Sequence, residues 1–277
     1  MPHLSKDQAK LHRQAQALVD LDRPLTWQEQ EFVMENWQES DNSTHGLDGA
    51  FFTPPGLARD LSVEVSGPEV QRVLDLCAGT GRLAWASIND WGAPDREMVC
   101  VERNPKYVRV GRKVLPEARW LCADIFDLPN DLGRFDMVVS NPPFGFTERS
   151  GDGPGVSSRR FEYHALAVAA ELGRFGVFII PQESAPFRYS GQPSFQERRS
   201  AEYEQFERET GIRLEMNCGI DTSGYRQEWR GASPKTEIVV CDFTERTARV
   251  VTPPPAALAA PARAVVPAGV ESAPTLF

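Results

Sequence analysis

Near-continuous apolar runs recur through the middle of the chain, at Arg72–Leu76, Met98–Glu102, Ala118–Cys122, Asp136–Ser140 and Gly176–Pro181. A strand without polar alternation is buried on both faces, so each run needs a covering layer on either side. The segments between them, such as Arg82–Asn89 and Phe161–Leu172, have helix-like spacing. Strand and helix in alternation predict an α/β fold with a doubly wound, mostly parallel sheet from residue 51 to about 245. The end of that stretch differs. Ile212–Ile220 and Thr236–Phe243 are strand-like with no clear helix between them, which predicts a closing antiparallel pair with a long hairpin connection.

The flanks have other patterns. Residues 5 to about 40 read as two helices, opened by Ser5-Lys6-Asp7-Gln8 and Thr26-Trp27-Gln28-Glu29. In both, a hydroxyl and a side chain three residues on satisfy otherwise free N–H groups. Leu11, Ala15, Leu18 and Val19 form one apolar stripe, and Trp27, Phe32, Val33 and Trp37 are candidates for another. Asp41–Gly46 reads as a loop. After residue 246 the chain turns Ala-, Pro- and Val-rich without period, as a disordered tail does. The expected organisation is a helical extension over 1–48, a main domain over 49–246 and a tail over 247–277.

Composition narrows the function classes. The 277 residues are 41% hydrophobic and 25% charged, ordinary for a soluble globular chain. No apolar run approaches the roughly 20 residues that span a bilayer. The first residues lack a signal-peptide core. A cytoplasmic location without membrane partners is expected. The five cysteines and four histidines are dispersed without metal-ligand spacing, so no metal is expected. The net charge of −9 argues against a surface coated in basic groups, though not against a local basic face.

Two loops carry chemistry. The first is Asp75-Leu76-Cys77-Ala78-Gly79-Thr80-Gly81, between a buried strand and a helix opening at Arg82. Gly79 and Gly81 let the backbone pass close to a ligand, and the helix N-terminus offers N–H groups to a carboxylate. Glu102 ends the next strand, where a carboxylate can take both hydroxyls of a ribose. Asp124 follows the third, where it can accept from an adenine amino group while Ile125 packs on the ring. Three acids at successive strand ends beside a glycine loop form a nucleoside site at the sheet edge. The second loop is Asn141-Pro142-Pro143-Phe144, directly after the Asp136–Ser140 run. The Asn oxygen and the Pro142 carbonyl can both accept hydrogen bonds from a planar amine, and Phe144 offers a face for stacking.

Over about residues 50 to 245 these motifs resemble the class I S-adenosylmethionine-dependent methyltransferases. Asp-x-x-x-Gly-x-Gly, the strand-end Glu, the strand-end Asp and Asn-Pro-Pro-Phe appear in that family's order. The last motif is similar to that of the amino-methyltransferases, chiefly the DNA adenine-N6 enzymes. Phe51-Phe52-Thr53-Pro54-Pro55-Gly56-Leu57-Ala58 resembles the segment that precedes the glycine loop in the gamma-type members and in restriction-system modification subunits. The resemblance implies a Rossmann-like, seven-stranded sheet with an antiparallel last strand, and S-adenosylmethionine as cofactor. It implies cofactor contacts from Phe52, Thr53, Pro54, Asp75, Cys77, Ala78, Gly79, Gly81, Glu102, Arg103, Asp124, Ile125 and Asn141. It places Asn141, Pro142, Pro143 and Phe144 at the reacting amine, with Phe144 stacked on a base flipped out of DNA. Relatives with the same motif act on RNA amino groups or on protein glutamine, and a non-catalytic specificity or scaffold subunit is a third alternative.

The nucleic-acid contacts are read from mixed cations and aromatics in the loops after the fourth and fifth strands and in the last hairpin. Arg159, Arg160, Arg188, Tyr225, Arg226 and Arg230 are the candidates. No large separate target-recognition domain is visible in the sequence. Sequence choice would then come from these loops, the N-terminal helices, a dimer partner or an accessory specificity subunit.

Overall fold

A computed structural model describes residues 5–38, 51–89, 95–229 and 233–246. The Asp41–Gly46 loop, Arg230 and the 247–277 tail lie outside them.

Seven strands form the main sheet: β1 (Arg72–Leu76), β2 (Glu97–Glu102), β3 (Arg119–Cys122), β4 (Phe135–Ser140), β5 (Gly173–Pro181), β8 (Glu215–Met216) and β9 (Thr236–Asp242). Their order is β3-β2-β1-β4-β5-β9-β8. All contacts from β3 to β5 are parallel, and β9 runs antiparallel to both its neighbours. The doubly wound α/β fold with an antiparallel closing strand is therefore present. A hairpin of β6 (Phe187–Arg188) and β7 (Gln196–Glu197) stands apart.

The apolar runs explain the two cores. Val73, Met98, Cys100, Val139 and Ile179 face one side of the sheet, under α3 (Pro55–Leu61), α4 (Arg82–Asn89) and α5 (Pro105–Val114). Leu74, Leu76, Val99, Val138 and Phe178 face the other, under α6 (Phe161–Leu172) and α7 (Ala201–Thr210). Because successive residues of a strand point to opposite faces, only an unbroken apolar run can serve both layers.

The N-terminal helices α1 (Lys6–Val19) and α2 (Trp27–Asn36) join the first core. Both expected capping boxes are formed, at Ser5/Gln8 and Thr26/Glu29. Trp37 is buried, donates to Gln16 Oε1 at 2.8 Å and lies edge-on to Tyr107 of α5. Arg82 of α4 donates to the Met34 carbonyl, and Arg109 pairs with Asp20. Two expected core positions are surface instead: Leu11, and Trp27, which is half exposed against Trp85.

Two elements differ from the sequence expectation. The strand expected over Ile212–Ile220 shortens to β8. Asn217 ends it: its Oδ1 accepts from the N–H groups of Gly219 and Ile220, and its Nδ2 donates to the Ile238 carbonyl. An amide that folds its own backbone in this way stops a strand. The helix α7 was not expected. Its Ser200 N-cap, its left-handed Gly211 C-cap and the buried Tyr203–Phe206 pair define it.

Candidate active site at the sheet's carboxyl edge

The strand order reverses between β1 and β4, and there the connecting loops diverge to leave a crevice. Register pairing of Asp75 with Val139 brings the glycine loop and Asn141 side by side. Ser140 Oγ donates to the Leu76 carbonyl and ties the two strand ends together. The resulting cleft has a volume of about 340 Å³, within the range of small-molecule sites.

The glycine loop is shaped by three left-handed residues, Cys77 (φ 65°), Gly79 (φ 58°) and Gly81 (φ 89°). Cys77 is the unusual one, since a Cβ makes this conformation costly. A Cβ on Gly79 would reach 3.1 Å from the Phe52 ring, so glycine lets that aromatic close over the loop. Trp120 fills the same role against Gly81.

The three acids are held mainly by backbone N–H groups. Asp75 Oδ2 accepts from the Ala84 N–H at 3.0 Å, while Oδ1 is buried without a donor. Burial pushes its carboxyl up to about 7, against the Ala84 hydrogen bond and helped by the charge of Glu102. Glu102 accepts from Gly79 N–H at 2.8 Å through Oε2 and from Asn104 N–H at 2.7 Å through Oε1. Burial raises its carboxyl, and those N–H groups oppose the rise. Asp124 Oδ1 accepts from Phe126 N–H, and Arg103 lies 3.9 Å from its other oxygen.

Asn141 stands opposite. Its Nδ2 donates to the Phe51 carbonyl at 2.8 Å and to Thr53 Oγ1 at 3.0 Å. The Phe51 carbonyl can only accept, which fixes the amide orientation. Asn141 Oδ1 is left buried without a donor. The segment before the glycine loop thus aims the catalytic candidate.

The expected cofactor residues converge. Phe52, Thr53, Asp75, Cys77, Ala78, Gly79, Glu102, Arg103, Asp124, Ile125 and Asn141 all line the cleft, with Pro143 beside them. Pro54, the N-cap of α3, and Gly81, which turns the loop, do not line the cleft. Pro142 is buried, and Phe144 packs at 5.9 Å from Phe51 and 6.5 Å from Trp229. The sequence reading missed Tyr107, which lines the cleft from α5 at 5.1 Å from Phe52. Its signal was an aromatic in the first turn of the helix that follows Glu102. The reading also missed Thr147, Glu148 and Ser150, from the loop after Asn141–Phe144.

The expected basic residues are less uniform. Arg159 is exposed. Arg160 is not free: it pairs with Glu202 at 2.6 Å and lies near Glu162 and Glu183. Tyr225 is committed to Asp60 of α3 through its hydroxyl. Arg188 is half-buried and donates to the Phe187 carbonyl, and Arg226 is half-buried.

Residues 73–151 match the family described as Methyltransferase domain. Among solved structures, the methyltransferase subunit of a type I restriction-modification system from Streptococcus thermophilus superimposes with a TM-score of 0.55 at 15% identity. The match covers 78% of this chain and 48% of that one. A modification subunit described as belonging to a type I restriction enzyme from Vibrio vulnificus gives 0.53 at 14% identity, over 81% and 51%. The 23S rRNA methyltransferase ErmE gives 0.46 at 14% identity, over 72% and 70%. The chain spans about half the length of the two restriction-modification subunits.

Strand order, cleft and domain match together define a Rossmann-like methyltransferase fold. Its cofactor is S-adenosylmethionine, and the residues fit that molecule. Glu102 and Asp124 bring carboxylates to the cleft, the acceptor type that a ribose or an amine needs. Asp75 lines the cleft as well, with its Oδ1 buried and without a hydrogen-bond donor.

Proposed function

We propose that this chain transfers a methyl group from S-adenosylmethionine to the exocyclic N6 of adenine in DNA. The observation that carries this reading is Asn141: both amide hydrogens are spent on Phe51 and Thr53, and a buried Oδ1 is left pointing at no donor. An unpaired buried acceptor costs about 1–3 kcal/mol, a cost that an N–H donor arriving with the substrate removes.

Bound S-adenosylmethionine supplies an electrophilic methyl on a sulfonium. The protein's part is orientation. Asn141 Oδ1 and the Pro142 carbonyl would accept from the two amino hydrogens of adenine, which turns the nitrogen lone pair toward the methyl. Pro143 and Phe144 would confine the flipped ring. Residues 49–246 would form the catalytic unit, with 1–48 as a helical extension whose α1 and α2 buttress α4 and α5. The likeness in fold to restriction-modification subunits supports DNA as the substrate. A dimer partner or an accessory specificity subunit would be the source of sequence choice.

Incubation with labelled S-adenosylmethionine and unmethylated duplex DNA, followed by nucleoside mass spectrometry, tests the reading. N6-methyladenine from the intact protein is expected. Asn141→Ala should lose at least about 10²-fold in turnover, as for other removed charge-stabilising groups, while cofactor affinity is retained. An Asn141→Ala protein with full turnover would falsify the assignment.

A further inference from the structure

Two residues beyond Phe144, the chain presents a second aromatic to solvent. Phe146 is 64% exposed, the most exposed large apolar side chain among the described residues. The backbone before it is fixed. Gly145 N–H donates to Glu162 Oε2 at 2.8 Å, and the Gly145 carbonyl accepts from Phe161 N–H at 2.8 Å. Glu162 is itself buried and is tied to Ser184 at 2.6 Å. The ring is thus displayed by an anchored loop.

Two guanidiniums back it. Arg159 Cζ lies 5.3 Å and Arg160 Cζ 5.4 Å from the ring centroid, both within cation–π reach. Arg160 is held by Glu202 and is 16% exposed, so it serves as a fixed support. Arg159 makes no ion pair among the described residues and keeps its charge available. An exposed aromatic beside an unpaired cation matches a nucleotide on both counts, ring on ring and cation on phosphate. The residues that follow, Thr147 to Ser150, turn back into the cleft wall. Phe146 therefore stands at the rim of the cleft, outside the site of the reacting base.

We propose that Phe146 is the platform on which a base neighbouring the flipped adenine stacks, with Arg159 on an adjacent phosphate. The proposal rests on the DNA reading above and extends it to a contact outside the reacting pocket. Extruding one base exposes the faces of its neighbours, and an aromatic at the rim restores one of those stacks.

The test is fluorescence-anisotropy titration of labelled duplex DNA, with cofactor present, which needs no turnover. Phe146→Ala should weaken binding roughly ten-fold or more, the usual effect of removing one base–aromatic stack. Phe146→Trp should bind as the parent does. Arg159→Ala should lower the slope of log K against log salt by about one. Unchanged binding by Phe146→Ala overturns the proposal whatever the enzyme methylates, as does preferential binding of RNA of the same sequence or no binding of DNA at all. DNA binding that depends on Phe146, with no methylated product from the parent, would support this contact while breaking the proposed reaction.

Discussion

The two halves of the sheet's carboxyl edge are built on different principles. On the β1–β3 side, each acid takes its hydrogen bonds from backbone close by. Glu102 accepts from Gly79 on the adjacent strand tip and from Asn104, and Asp124 accepts from Phe126. On the β4–β5–β9 side, loops are pinned by carboxylates that sit inside helices and a strand. Glu237 of β9 accepts from Tyr189 N–H, Ser190 N–H and Gln182 Nε2. Glu162 pins Gly145, and Glu202 pins Arg160 and Ser158. The first half needs only a correct strand end. The second needs the whole fold assembled before its loops take shape. One arrangement suits a cofactor of constant shape, the other a larger substrate against which loops must be placed.

The strongest way to break this comparison is to remove one acid from each half. Glu237 is fully buried, so Glu237→Ala would strand three donors and cost on the order of 3–5 kcal/mol. Glu237→Gln keeps an acceptor and should lose about half as much. Glu102→Ala opens its donors to the water of the cleft. It should cost about 1 kcal/mol or less in stability while abolishing tight cofactor binding. Urea unfolding and cofactor titration on the three variants decide the matter. Equal stability losses for the two alanine variants would remove the distinction.

The same contrast explains what was legible in the sequence. Asp75, Glu102, Asp124 and the glycine loop lie at strand ends that apolar runs announce, and their partners are a few residues or one strand away. Asn141 was legible because two prolines mark it. Glu162 and Glu237 were not, since each sits inside an element and meets its partners only through tertiary contact. The α7 helix failed for a related reason. Half of its residues are charged, and its place is set by Tyr203 and Phe206, with Phe206 stacked on Tyr163 at 4.5 Å. Nothing along the chain shows that those two rings have a partner. Arg160 and Tyr225 looked like surface contacts because Glu202 and Asp60 lie far from them in sequence.

A second test uses pH and sharpens the account of the cofactor half. The Asp75 carboxyl is raised to about 7 from an ordinary value of 3.8. The folded state therefore holds a proton that the unfolded chain releases, and the group's contribution is fully present below about pH 4. It is lost as pH rises through about 7, at about 1.4 kcal/mol per pH unit in between. The ligand-free protein should be more stable at pH 5 than at pH 8 by up to a few kcal/mol on this account, and Asp75→Asn should flatten that difference. Denaturant midpoints at the two pH values provide the measurement. A parent and an Asn variant with parallel pH profiles would show that Asp75 is charged in the folded state across this range.

The smallest expected effect concerns Gly145, where the substrate half meets the reacting loop. Its φ is 73°, and a Cβ there would have nothing within 4 Å. Gly145→Ala therefore tests backbone conformation without a clash, at about 1–2 kcal/mol for a left-handed residue with a Cβ. The chain can relieve that strain by leaving the left-handed region, which breaks the bond to Glu162 and tilts Asn141 away from its aim. Turnover should fall by about ten-fold, as about 1.4 kcal/mol added to the barrier implies, while cofactor affinity holds because no β1–β3 contact has moved. Gly145→Asn, which tolerates the left-handed region better, should recover most of the rate. If Gly145→Ala instead loses cofactor affinity and keeps its rate, the two halves are coupled through this loop, and the separation drawn from their hydrogen bonds does not hold in function.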